Sequence, residues 1–399
     1  MDAPPAATDW TLPSDLILEI AGRSDISTVV AFTLACKLLR RDILSPSFIA
    51  HLTQRGGIVP PCILAYLHSH DDVEDPPAAS AFLNRHIYPS VSRFADDLLA
   101  EHVPLTSRGG LVLFRRRRIS DKLYKLCVYD IFSGHRTLFS DPLNAAPKYR
   151  PWLTRYVLLT AADGIDCSFL LFVLDRVTVP GDIYTSTIEI HTASSMSSTW
   201  TTAITSRSNS IFFSQLCQGM HGNIVVLQGG VIHWLVRKRG EIVSYNVCTT
   251  EQGTIKLPCP VIGFDRPLHL GSYYSHDGKK LLRLFTYNKF EISVWNQLPN
   301  GDWASEAAKI DIQEKLQSLD PHGQPYQNMV VQFECSSEKN NIVLLHIKTY
   351  SGNLRRPTML IILDLETKEM CEEQHRPTSS SMLLEIDISS RLRAMKVSP

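Results

Sequence analysis

From Leu105 onward the chain is written in short runs of Val, Ile, Leu, Phe and Tyr bounded by Gly, Pro, Asn and Asp. These runs return in a loose cycle of roughly 35–50 residues, the length of a four-stranded propeller blade. Five cycles are legible, over Gly110–Pro142, Tyr156–Ser206, Gly222–Pro258, Lys279–Ile312 and Met329–Gln374. Within them one step recurs: a strand ends on Tyr129-Asp130, Tyr245-Asn246 or Asp364-Leu365-Glu366, and a turn and a further strand follow. That is the register of a hairpin, not a catalytic motif. A β-sandwich also uses short strands, but so many cycles over the C-terminal three quarters of the chain exceed its usual size. The expectation is a propeller-like domain over residues 60–390, with residues 391–399 as a tail.

The N-terminal text is different. From Leu12 it reads LPSDLILEIAGRSDISTVVAFTLACKLLRRDILSPSFIAHL, with apolar residues at helical spacing in short bursts separated by breakers. Leu12, Leu16, Ile17 and Ile20 form the first stripe, with Pro13 at a helix start and Ser14 or Asp15 available to satisfy free amides. Asp25 is placed to cap a second helix carrying Val29, and a third burst through Leu38 and Leu39 stops at Ser45-Pro46. Phe48, Ile49 and Leu52 add one or two further helical turns. Such a small set of helices buries too little surface to be robust alone, because small domains cover only about 60% of their unfolded-chain surface. Its apolar faces therefore belong against the larger domain, against a partner, or both. Residues 1–11 are expected to be disordered, and a further helical pattern is expected over Ala78–His86.

The order Leu12-Pro13, Asp15-Leu16-x-x-Glu19-Ile20, Cys36-Lys37, Arg40-Arg41 and Ser45-Pro46-x-Phe48 resembles the F-box, over residues 12–55. The wording of SDISTVV and RRDILSPSFI is similar to a grass-expanded group of plant F-box proteins. The strings GVIHWL, EIVSYNV and KLLRLFTYNKFEISVWNQLPNGDW resemble the F-box-associated region that follows plant F-boxes. The resemblance implies an α+β multidomain chain, a small all-α F-box helical module followed by a mainly-β propeller-like domain. It implies that Leu12, Pro13, Leu16, Ile17, Ile20, Val29 and Leu38 dock a Skp-type adaptor and, through it, a cullin. The propeller loops would then hold a protein target, in a substrate-recruiting subunit of an SCF-type ubiquitin ligase that is not itself catalytic. A scaffold without ligase duty, or a stand-alone propeller that binds a small ligand or acts as an enzyme under a helical cap, are the alternatives.

The remaining features narrow the field. Lys+Arg and Asp+Glu both total 40, so no net field gathers nucleic acid or anionic membrane, and neither partner is expected. The 9 cysteines lie far apart with no CxxC pair, which speaks against a zinc site or a disulfide framework. Together with a start lacking a basic flank and an apolar core, this leads to an expected cytoplasmic or nuclear location. No HExxH, GxSxG, GxxxxGK[ST] or strand-linked GxGxxG occurs, so neither metal nor cofactor is expected, and His233 beside Trp234 reads as structural. The basic run Arg115–Arg118 reads as a solvated hairpin end.

Overall fold

The computed structural model describes residues 13–24, 28–29, 32–33, 37–54, 62–69, 80–82, 98–99, 101–116, 125–131, 133–140, 142, 155–178, 186–204, 224–237, 240–258, 267–288, 290–306, 309–314, 316, 329–351, 354–355, 359–373, 380–386 and 392. Helices α1 (Ser14–Arg23), α2 (Lys37–Ile43) and α3 (Pro46–Gln54) form the N-terminal module. Pro13 is the N-cap of α1 and makes no side-chain cap hydrogen bond. The Ser45-Pro46 pair ends α2 and starts α3: the Phe48 amide donates to Ser45 Oγ at 3.3 Å, and Pro46, with no amide hydrogen, loses nothing in a first turn. Leu12, Asp25 and most of the expected second helix lie outside the described residues, which retain helical backbone at Thr28, Val29, Phe32 and Thr33.

The rest is antiparallel sheet. Blade 1 comprises β3 (His102–Arg108), β4 (Leu111–Arg116), β5 (Lys125–Asp130) and β6 (Arg136–Ser140). Blade 2 comprises β7 (Arg155–Thr160), β8 (Phe169–Thr178), β9 (Ser186–Ser194) and β10 (Ser197–Ile204). Blade 3 comprises β11 (Ile224–Leu227), β12 (Val231–Val236), β13 (Glu241–Asn246) and β14 (Gln252–Lys256). Blade 4 runs through β15 (Leu268–Tyr274), β16 (Lys280–Asn288), β17 (Glu291–Gln297) and β18 (Trp303–Ser305), with β19 (Ile310–Asp311) also on β17. Blade 5 runs through β20 (Met329–Ser336), β21 (Ile342–Ser351), β23 (Met359–Asp364) and β24 (Met370–Glu373), with β22 (Leu354–Arg355) beside β21. These five meanders are the blades of a β-propeller. A three-stranded sheet closes the ring: β1 (Cys62–Ser69) pairs with β2 (Ser80–Phe82) on one side and with the C-terminal β25 (Ser380–Ile386) on the other. β25 lies between the inner strands β20 and β3, so residues from both ends of the chain share one sheet.

Why the strands read as unbroken apolar runs follows from the packing. Every full blade is covered on both faces, so successive residues feed different cores instead of alternating between core and water. In β4, Leu111 and Leu113 pack towards blade 2, whereas Val112 and Phe114 face the closing side of the ring. In β8, Leu171 and Val173 join that blade 1 core while Phe172 and Leu174 meet Ile232, Trp234 and Val243 of blade 3. The same split places Leu284 with blade 3 and Phe285 with blade 5, and then Leu345 with blade 4 and Leu344 with Leu383 of β25. Each fully buried aliphatic or aromatic side chain contributes about 1.5–3 kcal/mol.

Two expectations need correction. Residues 80–82 are strand β2, not helix, and the rest of Ala78–His86 lies outside the described residues. Three residues of a short apolar segment cannot be assigned by period alone, and pairing with β1 decides the outcome. Arg115 is buried, not solvated: it follows Leu111 and Leu113 at intervals of two on a strand packed on both faces, while Arg116 points out and pairs with Glu101 at 3.7 Å.

The repeated hairpin step shares one backbone hydrogen bond at all three places, while its side-chain bonds differ: Asp130 Oδ2 accepts from Ser133 Oγ at 2.9 Å. Asn246 Oδ1 accepts from the Cys248 and Thr249 amides, and Asp364 Oδ1 from those of Glu366 and Thr367. The Asp130, Asn246 and Asp364 amides donate to the carbonyls of His135, Glu251 and Glu369 at 3.0, 2.9 and 2.9 Å. In blade 4 the inner strand makes a close approach instead. A Cβ on Gly271 would stand 2.6 Å from Ser336 Oγ and 3.0 Å from the Phe285 ring, so only glycine lets β15 lie this near β20. Gly271→Ala is expected to cost about 1–3 kcal/mol in chemical denaturation. Adding Ser336→Ala should recover part of the loss, since it removes the nearer obstacle.

Candidate functional site

Two places gather side chains that sequence alone singles out or that no core requirement explains: the outer face of the helical module and the end of the propeller axis.

On the helical module the apolar residues divide by direction. Leu18 and Ala21 of α1, Val29, Leu39 and Ile43 turn inward to a core shared with blade 1. Leu16 and Ile20, one turn apart on α1, are 50% and 46% exposed, and Leu38 on α2 is 52% exposed. Ile17 is half-buried and Pro13 exposed, while Val29 is only 2% exposed and belongs to the internal core. Beside the outward face, Arg23 donates to Glu19 Oε1 at 2.6 Å, and Ser24 Oγ closes the helix end on the Ile20 carbonyl at 2.8 Å. Of the seven positions expected to dock an adaptor, Leu16, Ile20 and Leu38 thus present bare apolar side chains and Leu12 is outside the described residues.

The second place brings together residues scattered from 108 to 385. Arg108, the last residue of β3, donates through Nε and Nη2 to both oxygens of Asp163 at 2.8 and 2.5 Å, and through Nη1 to Glu338 Oε1 at 2.6 Å. The same Nη2 reaches the Val226 carbonyl at 3.1 Å. Lys280, opening β16, donates to that carbonyl at 2.9 Å and to Glu338 Oε2 at 2.6 Å. Asp163 sits in a 3-10 turn (Ala161–Asp163) after β7 and also accepts from the Thr160 amide at 2.8 Å. Five blades therefore each send one group to a common point. β25 adds Glu385, whose carboxylate accepts from Ser337 Oγ at 2.8 Å, Asn340 Nδ2 at 2.6 Å and the Glu338 and Lys339 amides at 3.0 and 3.1 Å.

The electrostatics follow from burial and neighbours. Burial alone would raise the Glu338 carboxyl, but Arg108 and Lys280 outweigh it and bring its pKa down to about 2. Burial also opposes the Arg108 charge, and Asp163 and Glu338 more than offset it, so this guanidinium is held charged. Burial, reinforced by Arg108, lowers Lys280, and burial, reinforced by Glu338, raises Glu385. Every carboxylate oxygen of Asp163 and Glu338 is engaged. The arrangement is chemically a clasp between blades and offers no free nucleophile or base. No sequence motif marks it, because each member comes from a different blade. The one local signal is position, with Arg108, Asp163 and Glu338 each on or beside the turn that follows an inner strand.

His233 and His269 lie buried in the blades. Burial pushes His233 down to about 4, and burial together with Arg237 pushes His269 down to about 3, so both are neutral near physiological pH. Among the described residues no group of three or more His, Cys, Asp and Glu side chains could hold a metal, and no helix is long and apolar enough to cross a membrane. The cysteines at 127, 167, 248, 335 and 371 are free thiols.

Removing Arg108 strands Asp163, whose side chain is 5% exposed, so Arg108→Ala should cost about 3–5 kcal/mol in urea denaturation. The pH dependence has a definite sign. Glu338 has its folded pKa lowered from 4.5 to about 2, so its contribution is complete above pH 4.5 and lost as the pH falls towards 2. The stability gap between the wild type and Glu338→Gln should therefore be wide at pH 7 and narrower at pH 3.

Comparison with known proteins adds the following. Among solved structures, the chain is similar to a protein from Lactobacillus plantarum, at 11% identity over 81% of this chain and 100% of that one, with a TM-score of 0.34. It is also similar to the β-propeller domain of the Trilobed protease from Pyrococcus furiosus, at 10% identity over 68% of this chain and 69% of that one, with a TM-score of 0.31. A polysaccharide lyase, Uly1, is similar at 10% identity over 69% and 72%, with a TM-score of 0.35. No curated protein sequence matches. Residues 71–397 match the family model described as a domain of unknown function, DUF7595, and the chain belongs to that family.

Proposed function

We propose that this chain is a non-catalytic recruiting subunit: an F-box-type helical module, of the kind found in plant proteins, binds a Skp-type adaptor and through it a cullin. The propeller holds a protein target for ubiquitination, in the cytoplasm or nucleus. One observation carries the reading. Leu16, Ile20 and Leu38 are three large apolar side chains about half exposed on a module whose Ala21, Val29, Ile43 and Ile49 are buried in the core shared with blade 1. An apolar stripe on helices is the form in which helix-in-groove partners are bound. The order of the F-box-like positions along residues 12–55 supplies the identity of the partner, and the matched family span begins only at residue 71. The clasp of engaged charges at the propeller axis fits a rigid display scaffold, whose loops carry recognition.

The test is reconstitution of the full chain with a Skp-type adaptor. Wild type should form a stable complex, and Leu16→Asp or Ile20→Asp should each cost about 2 kcal/mol or more of binding, roughly thirtyfold. Because both positions are exposed, unfolding midpoints should stay within about 0.5 kcal/mol of the parent. No complex with the wild-type chain, or equal binding by the variants, sinks the proposal.

A further inference from the structure

Five of the interfaces around the ring are formed by sheet against sheet. Blades 1 and 2 meet through Leu113, Val128, Leu158 and Leu171, and blades 4 and 5 through Phe285, Val294, Val331 and Leu345, with equivalent sets between the others. Between blade 5 and the closing sheet the described residues form a small core of Leu344, Leu360 and Leu383, with Cys335, Ile342 and Ile362 packed against it. The sixth, on the closing side of blade 1, is built differently. Val112, Phe114, Cys127, Tyr129 and Ile131 of blade 1 share one continuous core with Leu384 of β25 and with Ala21, Val29, Ile43 and Ile49 of the helical module. Leu98, Leu99 and Leu392 complete it. Here, where the strands from the two ends of the chain meet, the core is supplied in large part by helices.

We infer that the helical module is the wedge that keeps the ring closed, so that loosening α2 and α3 and releasing β25 are one coupled opening. Besides its backbone pairing with β1, β25 makes these contacts among the described residues. Leu383 packs in the small blade 5 interface, Ser107 Oγ donates to its carbonyl, and Glu385 caps the 337–340 turn. Withdrawing Ile43 and Ile49 leaves Leu384 and the blade 1 face half covered, and local opening concentrates where buried apolar contacts are fewest. A protein gripping the outward face at Leu16, Ile20 and Leu38 would then act on ring closure by mass action, a consequence that rests on the function proposed above. The coupling itself rests on packing alone and is tested without any partner.

The experiment is native-state hydrogen exchange of the full chain, read by mass spectrometry, comparing wild type with Ile43→Ala. Exchange should rise at least tenfold in residues 37–54 and, in step, in residues 380–386, while residues 224–256 and 268–297 keep their wild-type rates. The reciprocal variant Leu384→Ala should speed exchange in residues 37–54. Should Ile43→Ala fail to fold, Ile49→Val gives the same comparison at a few-fold scale. Faster exchange in the helices alone overturns the inference. So does an equal rise in every blade, which would make the helices part of one global unit with no special tie to the closing strand. Loss of adaptor binding leaves these readings unchanged, so failure here and failure of the proposed function are separable.

Discussion

The whole architecture depends on burying both faces of each blade. A strand such as β8, with Leu171 and Val173 facing one neighbour and Phe172 and Leu174 the other, cannot be left at the border of a stack without exposing half of its apolar side chains. Closure into a ring is the solution that covers all such faces at once. It also requires that first and last strands meet, which the β1 and β25 pairing achieves. Because the strands depend on sequence-distant partners more than on local propensity, the fold is a long-range structure whose stability is spread over many similar interfaces.

A ring has an axis, and the axis sets a second requirement. Inner strands converge there with their turns, and the groups at those turns are the ones that cannot retreat to the periphery. The chain fills one such point with Arg108, Asp163, Lys280 and Glu338, two cations and two anions, instead of with hydrocarbon. Desolvation would make any one of them costly on its own, and the geometry compensates through a bidentate guanidinium and a carbonyl shared by two donors. Such a cluster specifies which turn meets which, since an inner strand shifted in register would leave a buried charge without its counter-ion.

Much of the fold was legible because the blade cycle is written locally. The strand ends at Asp130, Asn246 and Asp364 announced hairpins, and the structure gives all three the same turn. What the cycle did not reveal is the inner strand of two blades: β3 and β15 precede the runs that marked their cycles, and β15, as LHLGSYY, sets His269 and Gly271 between and beside its buried Leu268 and Leu270. Both have reasons visible only in three dimensions. Gly271 is required by the approach of β20, and His269 is buried as a neutral ring 3.1 Å from Ser336 Oγ. The charge cluster was illegible for the same reason, its members being separated by up to 230 positions between Arg108 and Glu338. Pattern cannot join residues that only ring closure brings together.

The helical module was legible as helices but not in how its faces divide. A stripe of Leu16, Ile17 and Ile20 reads as a single apolar face, yet the residues that seat the helix are Leu18 and Ala21, turned away from Leu16 and Ile20, with the half-buried Ile17 between the two sets. A 100°-wide stripe is enough to seat a surface helix, and α1 carries apolar residues beyond those in the core shared with blade 1. The excess is concentrated at Leu16 and Ile20, and Leu38 adds to it from α2. The same short helices thus carry two kinds of apolar residue: those packed into the core shared with blade 1, and Leu16, Ile20 and Leu38, which stand about half exposed.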